Sequence, residues 1–415
     1  MLKYVIIGAG LAGLSAAVWL ARKGHQVSLF EAAPYAGGRC RSWLDPVLDR
    51  VIDNGNHLVL HSNANTMRYL KWVDSDPTRN PFDIPIDGVY SVPGPIIIRE
   101  PKTRIEYHVA SNRPVTGYPL LEQMPVIKLM LFPARKTVSE FFDAESNFYK
   151  NIITPLCVSA LNTPPETASA KLFAKVLRTF AIHSNPIGEF CLPVHTWGDA
   201  LIDDGLKKLT THGVEAAYKT SLKEIEIKDN KVARLMWQNG SMDVTPDMRI
   251  ILAVPAWALG GIHPSLAVDL TYHPIVNGHF KVDGLTHTLN RDFIGLLGCH
   301  AHWLFFKVGL ISTTTSAAES MLGLSHEEIA SLLWKDIYNT LHTVPKTVPT
   351  HRIIVEKRAT FAATPDNEAK RPSTRTAYSN LFLAGDYINT GLPPTIESAI
   401  TSGFMAAKLT SKVRH

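Results

Sequence analysis

A chain of 415 residues, 45% hydrophobic and 19% charged, has room for two or three domain-sized units and a large core, so disorder is not its default state. Its 42 basic and 37 acidic residues leave a net charge of +5. That is too small and too dispersed for a nucleic-acid binder, although it suits a weak approach to an anionic membrane surface. Cys40, Cys157, Cys191 and Cys299 lie far apart with no CxxC, so no metal site or disulfide framework is indicated and a reducing compartment is the simplest reading.

The first element is an apolar run, Tyr4 to Ile7, the form of a strand buried on both faces. With a core strand starting so early, no signal peptide is expected. The run enters Gly8-Ala9-Gly10-Leu11-Ala12-Gly13, after which Leu11, Leu14 and Val18 recur at helical spacing. A second apolar strand, Gln26 to Phe30, ends at Glu31. This is the βαβ context in which G-x-G-x-x-G binds a dinucleotide, although such a turn can also be a plain strand-to-helix junction. Gly8 permits the tight turn, Gly10 lets the backbone approach a pyrophosphate, and Gly13 lets helix and strand pack closely. Glu31, 18 residues past Gly13, can accept hydrogen bonds from both ribose hydroxyls and would repel a 2′-phosphate. Gly37-Gly38-Arg39 then adds a second glycine pair with an arginine. It resembles the extended fingerprint of flavoproteins of the amine oxidase and phytoene desaturase superfamily, in which that arginine lies along the FAD pyrophosphate. The resemblance implies FAD.

Val51 to Leu60 reads as a turn entering a strand, and Asn63 to Val73 as a short helix. Pro77 to Pro101 is rich in proline with short apolar runs, consistent with hairpins. Leu120 to Phe132 is strongly apolar, either a core helix interrupted by Pro125 or a membrane-facing surface. Helical spacing continues from Thr137 to Phe180, broken at Pro155 and at Pro164-Pro165. Leu201 to His212 predicts a helix, Ser221 to Ile227 and Lys231 to Trp237 a strand pair, and Arg249 to Val254 a buried strand. Strands of a separate sheet are expected at Pro274 to Val282 and Gly295 to Ser312. Phe293 to Ile311 contains His300, His302 and Lys307 and reads as two strands around a turn, not a membrane span. Ser325 to Leu341 is an amphipathic helix. Strands at Arg352 to Glu356 and Leu381 to Ala384 precede a final helix from Thr395.

The last strand delivers Gly385-Asp386, and Gly391-Leu392-Pro393-Pro394-Thr395-Ile396 opens the closing helix. Gly385 allows close approach and Asp386 can hydrogen-bond a polyol chain. Amides around Thr395 and Ile396 can face the side of an isoalloxazine where negative charge grows on reduction. More narrowly, the chain resembles the hydroxysqualene dehydroxylases. The segments that carry the likeness are GAGLAGLSAAVWLARKGHQVSLFEAAPYAGGRCRS, VIDNGNHLVL, LNTPPETASA, PIVNGHF, EKRATFAATP and NLFLAGDYINTGLPPTIESAITSG. Asn56 stands where the family usually has Gln, His61 where a small residue is common, and Tyr387 where Trp is usual. The resemblance implies an α/β fold, with a Rossmann-like FAD-binding domain (1–75, 195–265 and 350–415) interleaved with a substrate domain of mixed sheet and helices (76–194 and 266–349).

It also implies reductive loss of the hydroxyl of hydroxysqualene, an apolar isoprenoid, to give squalene. Heterolysis of an allylic C–O bond needs a proton for the leaving oxygen, stabilisation of positive charge, and a hydride from reduced flavin. His57 is the first candidate acid. Asp53 is second, since an exposed turn carboxylate would be ionised. Trp303 and Phe305 on one strand face and Phe306 on the other are candidates for facing the cation, and Asn56 and His61 for lining the pocket. The rivals are a carotenoid-type desaturase or amine oxidase, and a non-catalytic prenyl-lipid carrier of the GDP-dissociation-inhibitor type, which lacks the full cofactor set. A second G-x-G-x-x-G for NADPH is not seen, so NADPH and a protein reductant stay open as electron donor. Cytoplasmic location is expected, with room for peripheral contact at the inner face of the cell membrane and for association with the other squalene-forming enzymes.

Overall fold

Two sheets of different construction organise the chain, whose computed structural model describes residues 2–74, 88–92, 94–110, 113–182, 190–284 and 292–411. The first is five-stranded and parallel. From edge to edge it runs Ala216–Ala217, Gln26–Phe30, Lys3–Ile7, Met248–Leu252 and Leu381–Leu383. The opening strand is apolar without alternation because both faces are covered: Tyr4 and Ile6 join one core, Val5 and Ile7 another. Helix Leu11–Ala21 lies against the closing helix Ile396–Thr410. They cross so closely that a Cβ on Gly403 would fall 2.2 Å from the Ala12 carbonyl oxygen. Ser15 Oγ donates to the Ile400 carbonyl at 3.3 Å across the same contact. The two ends of the chain are thereby packed together beside the sheet.

The second sheet has seven strands, in the order His351–Phe361, Tyr272–Lys281, Leu310–Ser316, Trp303–Lys307, Phe293–Leu296, Ile96–Arg99 and Glu106–Val109. All pair antiparallel except Phe293–Leu296 with Ile96–Arg99. One face packs against helix His326–Leu341 through Ile294, Leu304 and Ile311. That helix starts in a capping box, Ser325 and Glu328 each satisfying the other's backbone amide. The other face carries Phe293, Trp303 and Phe305 into the largest core.

The structure sharpens several expectations. Phe293 to Ile311 holds three strand segments, not two, because a second turn at Val308-Gly309, with Gly309 at φ +66°, separates Trp303–Lys307 from Leu310–Ser316. Pro155 marks a change of winding: the π-helical turn Tyr149–Ile153 ends just before it, and the proline sits in the first turn of the α-helix Thr154–Leu161 that follows directly. His351–Phe361, at the start of the segment expected to return to the nucleotide domain from 350, pairs with Tyr272–Lys281 of the second sheet at both of its ends, with an irregularity between Glu356 and Thr360. Leu120–Leu131 is a helix that includes Pro125, but most of its apolar side chains are not in the core. Of the Pro77 to Pro101 hairpins, Val89–Val92 and Ile96–Arg99 are strands, whereas 75–87 lie outside the described residues.

Candidate active site

The glycine turn is shaped by its backbone. Gly8 has φ +107°, and a Cβ on Gly13 would lie 1.8 Å from the Gly8 carbonyl oxygen, so the helix can start against the strand only if residue 13 has no side chain. At Gly10, by contrast, a Cβ would meet nothing within 4 Å. Gly10 is also the N-cap, and no side chain caps it. Open space at a helix N-terminus is where a pyrophosphate is received. Gly37 N donates to the Ala9 carbonyl (2.8 Å), which lays Gly37-Gly38 beside the turn. Glu31 Oε2 accepts from Ala9 N and Oε1 from Ala33 N, both at 2.8 Å, which aims the carboxylate and leaves each oxygen a lone pair for a ribose hydroxyl.

Arg39 Nη2 pairs with Asp386 Oδ1 at 2.6 Å, joining residues 347 apart in sequence. Arg39 Nη1 donates to the Ala359 carbonyl at 2.5 Å. Gly385 N donates to Ser402 Oγ of the closing helix (2.8 Å), and Thr395 Oγ1 caps that helix by accepting from Ser398 N (3.3 Å). Ile396, its first residue, packs on the core below. Two supports carried no sequence signal. Buried Glu397 accepts from Asn65 N, Thr66 N and Thr66 Oγ1, tying the closing helix to Ala64–Val73. Arg371 donates to the carbonyls of Asp386, Tyr387, Ile388 and Leu392, and stacks over Phe361 at 4.9 Å. Burial pulls its guanidinium down to about 10, and only those carbonyls and nearby acids hold the charge.

At the other end of the cradle, Asn54 takes part in both halves. Its Nδ2 donates to the Arg39 carbonyl (3.2 Å), while its own carbonyl accepts from Asn277 Nδ2 (3.3 Å) on the seven-stranded sheet. Asn56 Nδ2 donates to Thr314 Oγ1 (3.1 Å) and to the Thr313 carbonyl (3.2 Å); Thr314 Oγ1 donates on to Asn277 Oδ1 (2.9 Å). His57 lies beside Gly55 and Asn277 with its Nε2 buried and, among the described residues, without a hydrogen-bond partner; Asn54 Oδ1 and Tyr387 Oη are in the same condition. Burial pulls the His57 pKa below its ordinary value, Asp53 pulls the other way, and Arg39 adds to the lowering. Three orphaned buried polar atoms around the Arg39–Asp386 pair fit a polar ring system and polyol chain, and the residues present therefore suit FAD.

Asp53 is not the exposed turn carboxylate expected. It is 5% exposed, since strand Arg50–Asp53 ends beneath Trp197. Oδ1 accepts from Ser42 Oγ (2.6 Å) and Trp197 N (2.9 Å), and Oδ2 from Lys307 Nζ (3.3 Å). Trp197 also reaches His57, donating Nε1 to its carbonyl at 3.0 Å. His61 is half-buried in the turn after Val59–Leu60, which pairs with Phe190–Pro193. Trp303 and Phe305 share the face with Phe293, ring centroids 6.0 Å from it in each case, whereas Phe306 packs on the opposite core. Trp303 Nε1 donates to Ser159 Oγ at 2.6 Å. Among the described residues no group of His, Cys, Asp and Glu is placed to hold a metal.

The model of the flavin containing amine oxidoreductase family matches residues 11–410. The hydroxysqualene dehydroxylase of Zymomonas mobilis is 33% identical over 97% of this chain and 98% of its own length. That of Sinorhizobium fredii is 32% identical over 97% of each. Among solved structures, cyclohexylamine oxidase from Brevibacterium oxydans superposes with a TM-score of 0.73 over 99% of both chains at 13% identity, a likeness of fold.

Proposed function

The chain belongs to the hydroxysqualene dehydroxylases within the flavin-containing amine oxidoreductases, and from that premise we propose that it removes the hydroxyl of hydroxysqualene reductively to give squalene. The observation that carries the proposal is the continuity at Asn54, where one residue is bonded both to Arg39 of the cofactor cradle and to Asn277 of the aromatic-bearing sheet.

The net change is loss of water with uptake of a hydride and a proton: the C–O bond breaks, its electron pair leaves on oxygen, and a C–H bond forms at the same carbon. These residues would hold FAD, which when bound and reduced would supply the hydride: Gly8, Gly10, Gly13, Glu31, Gly38 and Arg39 would hold its nucleotide half, and Gly385, Asp386, Thr395 and Ile396 the ring half. His57 is assigned the proton for the leaving oxygen, through the Nε2 that no side chain engages. Asp53 is the weaker candidate, because both of its oxygens are already engaged by Ser42, Trp197 and Lys307, which hold it in the framework and away from a leaving oxygen. Asn56 and His61 shape the polar end of the pocket. Trp303 and Phe305 offer apolar faces that stabilise an allylic cation without trapping it, and Phe306 supports them from the opposite side. The same proposal places the enzyme in the cytoplasm at the membrane face beside other squalene-forming enzymes, with NADPH or a protein as reductant.

The test is an anaerobic incubation of the chemically reduced holoenzyme with hydroxysqualene, with products identified by mass. Squalene is expected, one per flavin oxidised. Conversion of squalene to a more unsaturated product by the oxidised enzyme would make it a desaturase instead, and a colourless protein that takes up no FAD would make it a carrier.

A further inference from the structure

Helix Leu120–Leu131 wears its pattern inside out. Leu129 is fully buried, yet Leu120, Met124, Ile127 and Leu131, at helical spacing, are 53–64% exposed, and Leu121 and Phe132 are 84% and 71% exposed. The helix cannot roll to hide this stripe. Gln123 accepts from Val115 N (2.8 Å) and donates to the Val115 and Tyr118 carbonyls (3.1 Å each), Glu122 accepts from Ser146 Oγ (2.6 Å), and Arg178 Nε donates to the Met130 carbonyl (2.6 Å). So large an apolar stripe, held rigidly outward, is an interaction surface.

Length and charge decide what covers it. Twelve residues at 1.5 Å each reach about 18 Å, short of a hydrocarbon core of about 30 Å, so the helix can lie in a bilayer interface and not cross it. Among the described residues no helix is long and apolar enough to cross. From Arg113 to Lys136 there are four basic residues and one acid. The acid, Glu122, is turned inward on Ser146, whereas Arg113, Lys128, Arg135 and Lys136 are exposed, Lys136 sharing its charge with Glu140 at 3.7 Å. A second copy docked about a two-fold axis would bring these cations towards their own images, whereas anionic headgroups complement them. We propose that this face seats the enzyme on an anionic bilayer, the stripe in the acyl boundary and the cations among the phosphates. It rests on the dehydroxylase reading only for its purpose, delivery of a lipid-dissolved substrate; the surface itself stands without it.

The flavin-loaded full chain is sedimented with phosphatidylcholine vesicles with and without phosphatidylglycerol. Binding is expected with the anionic vesicles, weakened by salt, and reduced at least about tenfold in the double variant Leu121→Asn, Phe132→Asn. Lys128→Glu, which leaves the stripe intact, is expected to weaken binding less. Flavin content and turnover of detergent-dispersed hydroxysqualene stay at wild-type values in both variants. A wild-type chain that ignores anionic vesicles, or a double variant that binds them equally well, overturns the proposal. So does a wild-type dimer that the double variant converts to monomer while vesicles are ignored, because the occupant is then a second copy. Lost turnover with intact vesicle binding would strike at the reaction and leave the surface standing.

Discussion

The cofactor cradle and the proposed reacting end meet at Asn54 but are built in opposite ways. The cradle is made of main chain: glycines that allow contact, a carboxylate fixed by two amides, and Arg371 spending its donors on carbonyls. The proposed reacting end is made of side chains gathered from far apart, Asn54, Asn56 and His57 from one segment, Asn277 and Thr314 from another. Main-chain geometry demands particular residues at fixed spacing, whereas a side-chain cluster can draw its members from anywhere the fold brings together. The first should fail abruptly under substitution, the second by degrees.

The largest effect is expected at Gly13. Gly13→Val places a branched side chain against the Gly8 carbonyl, where even a Cβ would lie at 1.8 Å, and should yield little folded, flavin-containing protein. Gly10→Ala sharpens the contrast. With nothing within 4 Å of its Cβ, it should melt like wild type while its methyl occupies phosphate space, so flavin retention falls without loss of fold. Absorbance of bound flavin per chain and a thermal melt read both; equal behaviour of the two variants would break the distinction.

That division also marks what the sequence made legible. The βαβ opening, Gly37-Gly38-Arg39 and Gly385-Asp386 could be read because each constrains its neighbours along the chain, and the structure brings Arg39 onto Asp386. The burial of Asp53 could not be read, because Trp197 and Lys307, which cover it, are 144 and 254 positions away. Arg371 and Glu397 escaped for another reason: most of their partners are backbone atoms, which no residue type announces. The apolar run Leu120 to Phe132 was legible as composition, but its direction was not, since only the anchors at Val115, Tyr118 and Ser146 decide which side faces out.

At the reacting end, His57→Ala is expected to keep bound flavin and lose about 10²- to 10⁴-fold in turnover, the usual worth of a positioned proton donor. Wild-type rates in single-turnover oxidation of the reduced enzyme would remove His57 from the chemistry. A smaller effect follows from histidines held neutral. Burial pulls His279 and His302 to about 4, and His302 Nδ1 accepts from Ser316 N, a bond that imidazolium cannot make. Their folded pKa lies below the unfolded value, so unfolding takes up protons, and stability that is full above pH 6.5 is lost as pH falls toward 4. Each costs about 3 kcal/mol by pH 4. Urea midpoints should drop between about pH 6.5 and about pH 5. His302→Asn, which keeps an acceptor without a proton to gain, should flatten that slope.

The smallest effect is the one that best separates packing from chemistry at Trp303. Trp303→Phe removes the bond to Ser159, whose own hydroxyl still donates to the Pro155 carbonyl at 2.6 Å, so a loss of about 1 kcal/mol in stability is expected. Trp303→Leu loses the same bond and the aromatic face as well. If that face stabilises a cation, turnover should fall roughly 2- to 30-fold in the leucine variant, corresponding to about 0.5–2 kcal/mol, and much less in the phenylalanine variant. If Trp303 only fills the core beside Phe293, the two variants should lose stability and leave single-turnover rates alike. Rates that follow stability in both would assign this sheet face to packing and leave charge stabilisation to Phe305 or to residues nearer His57.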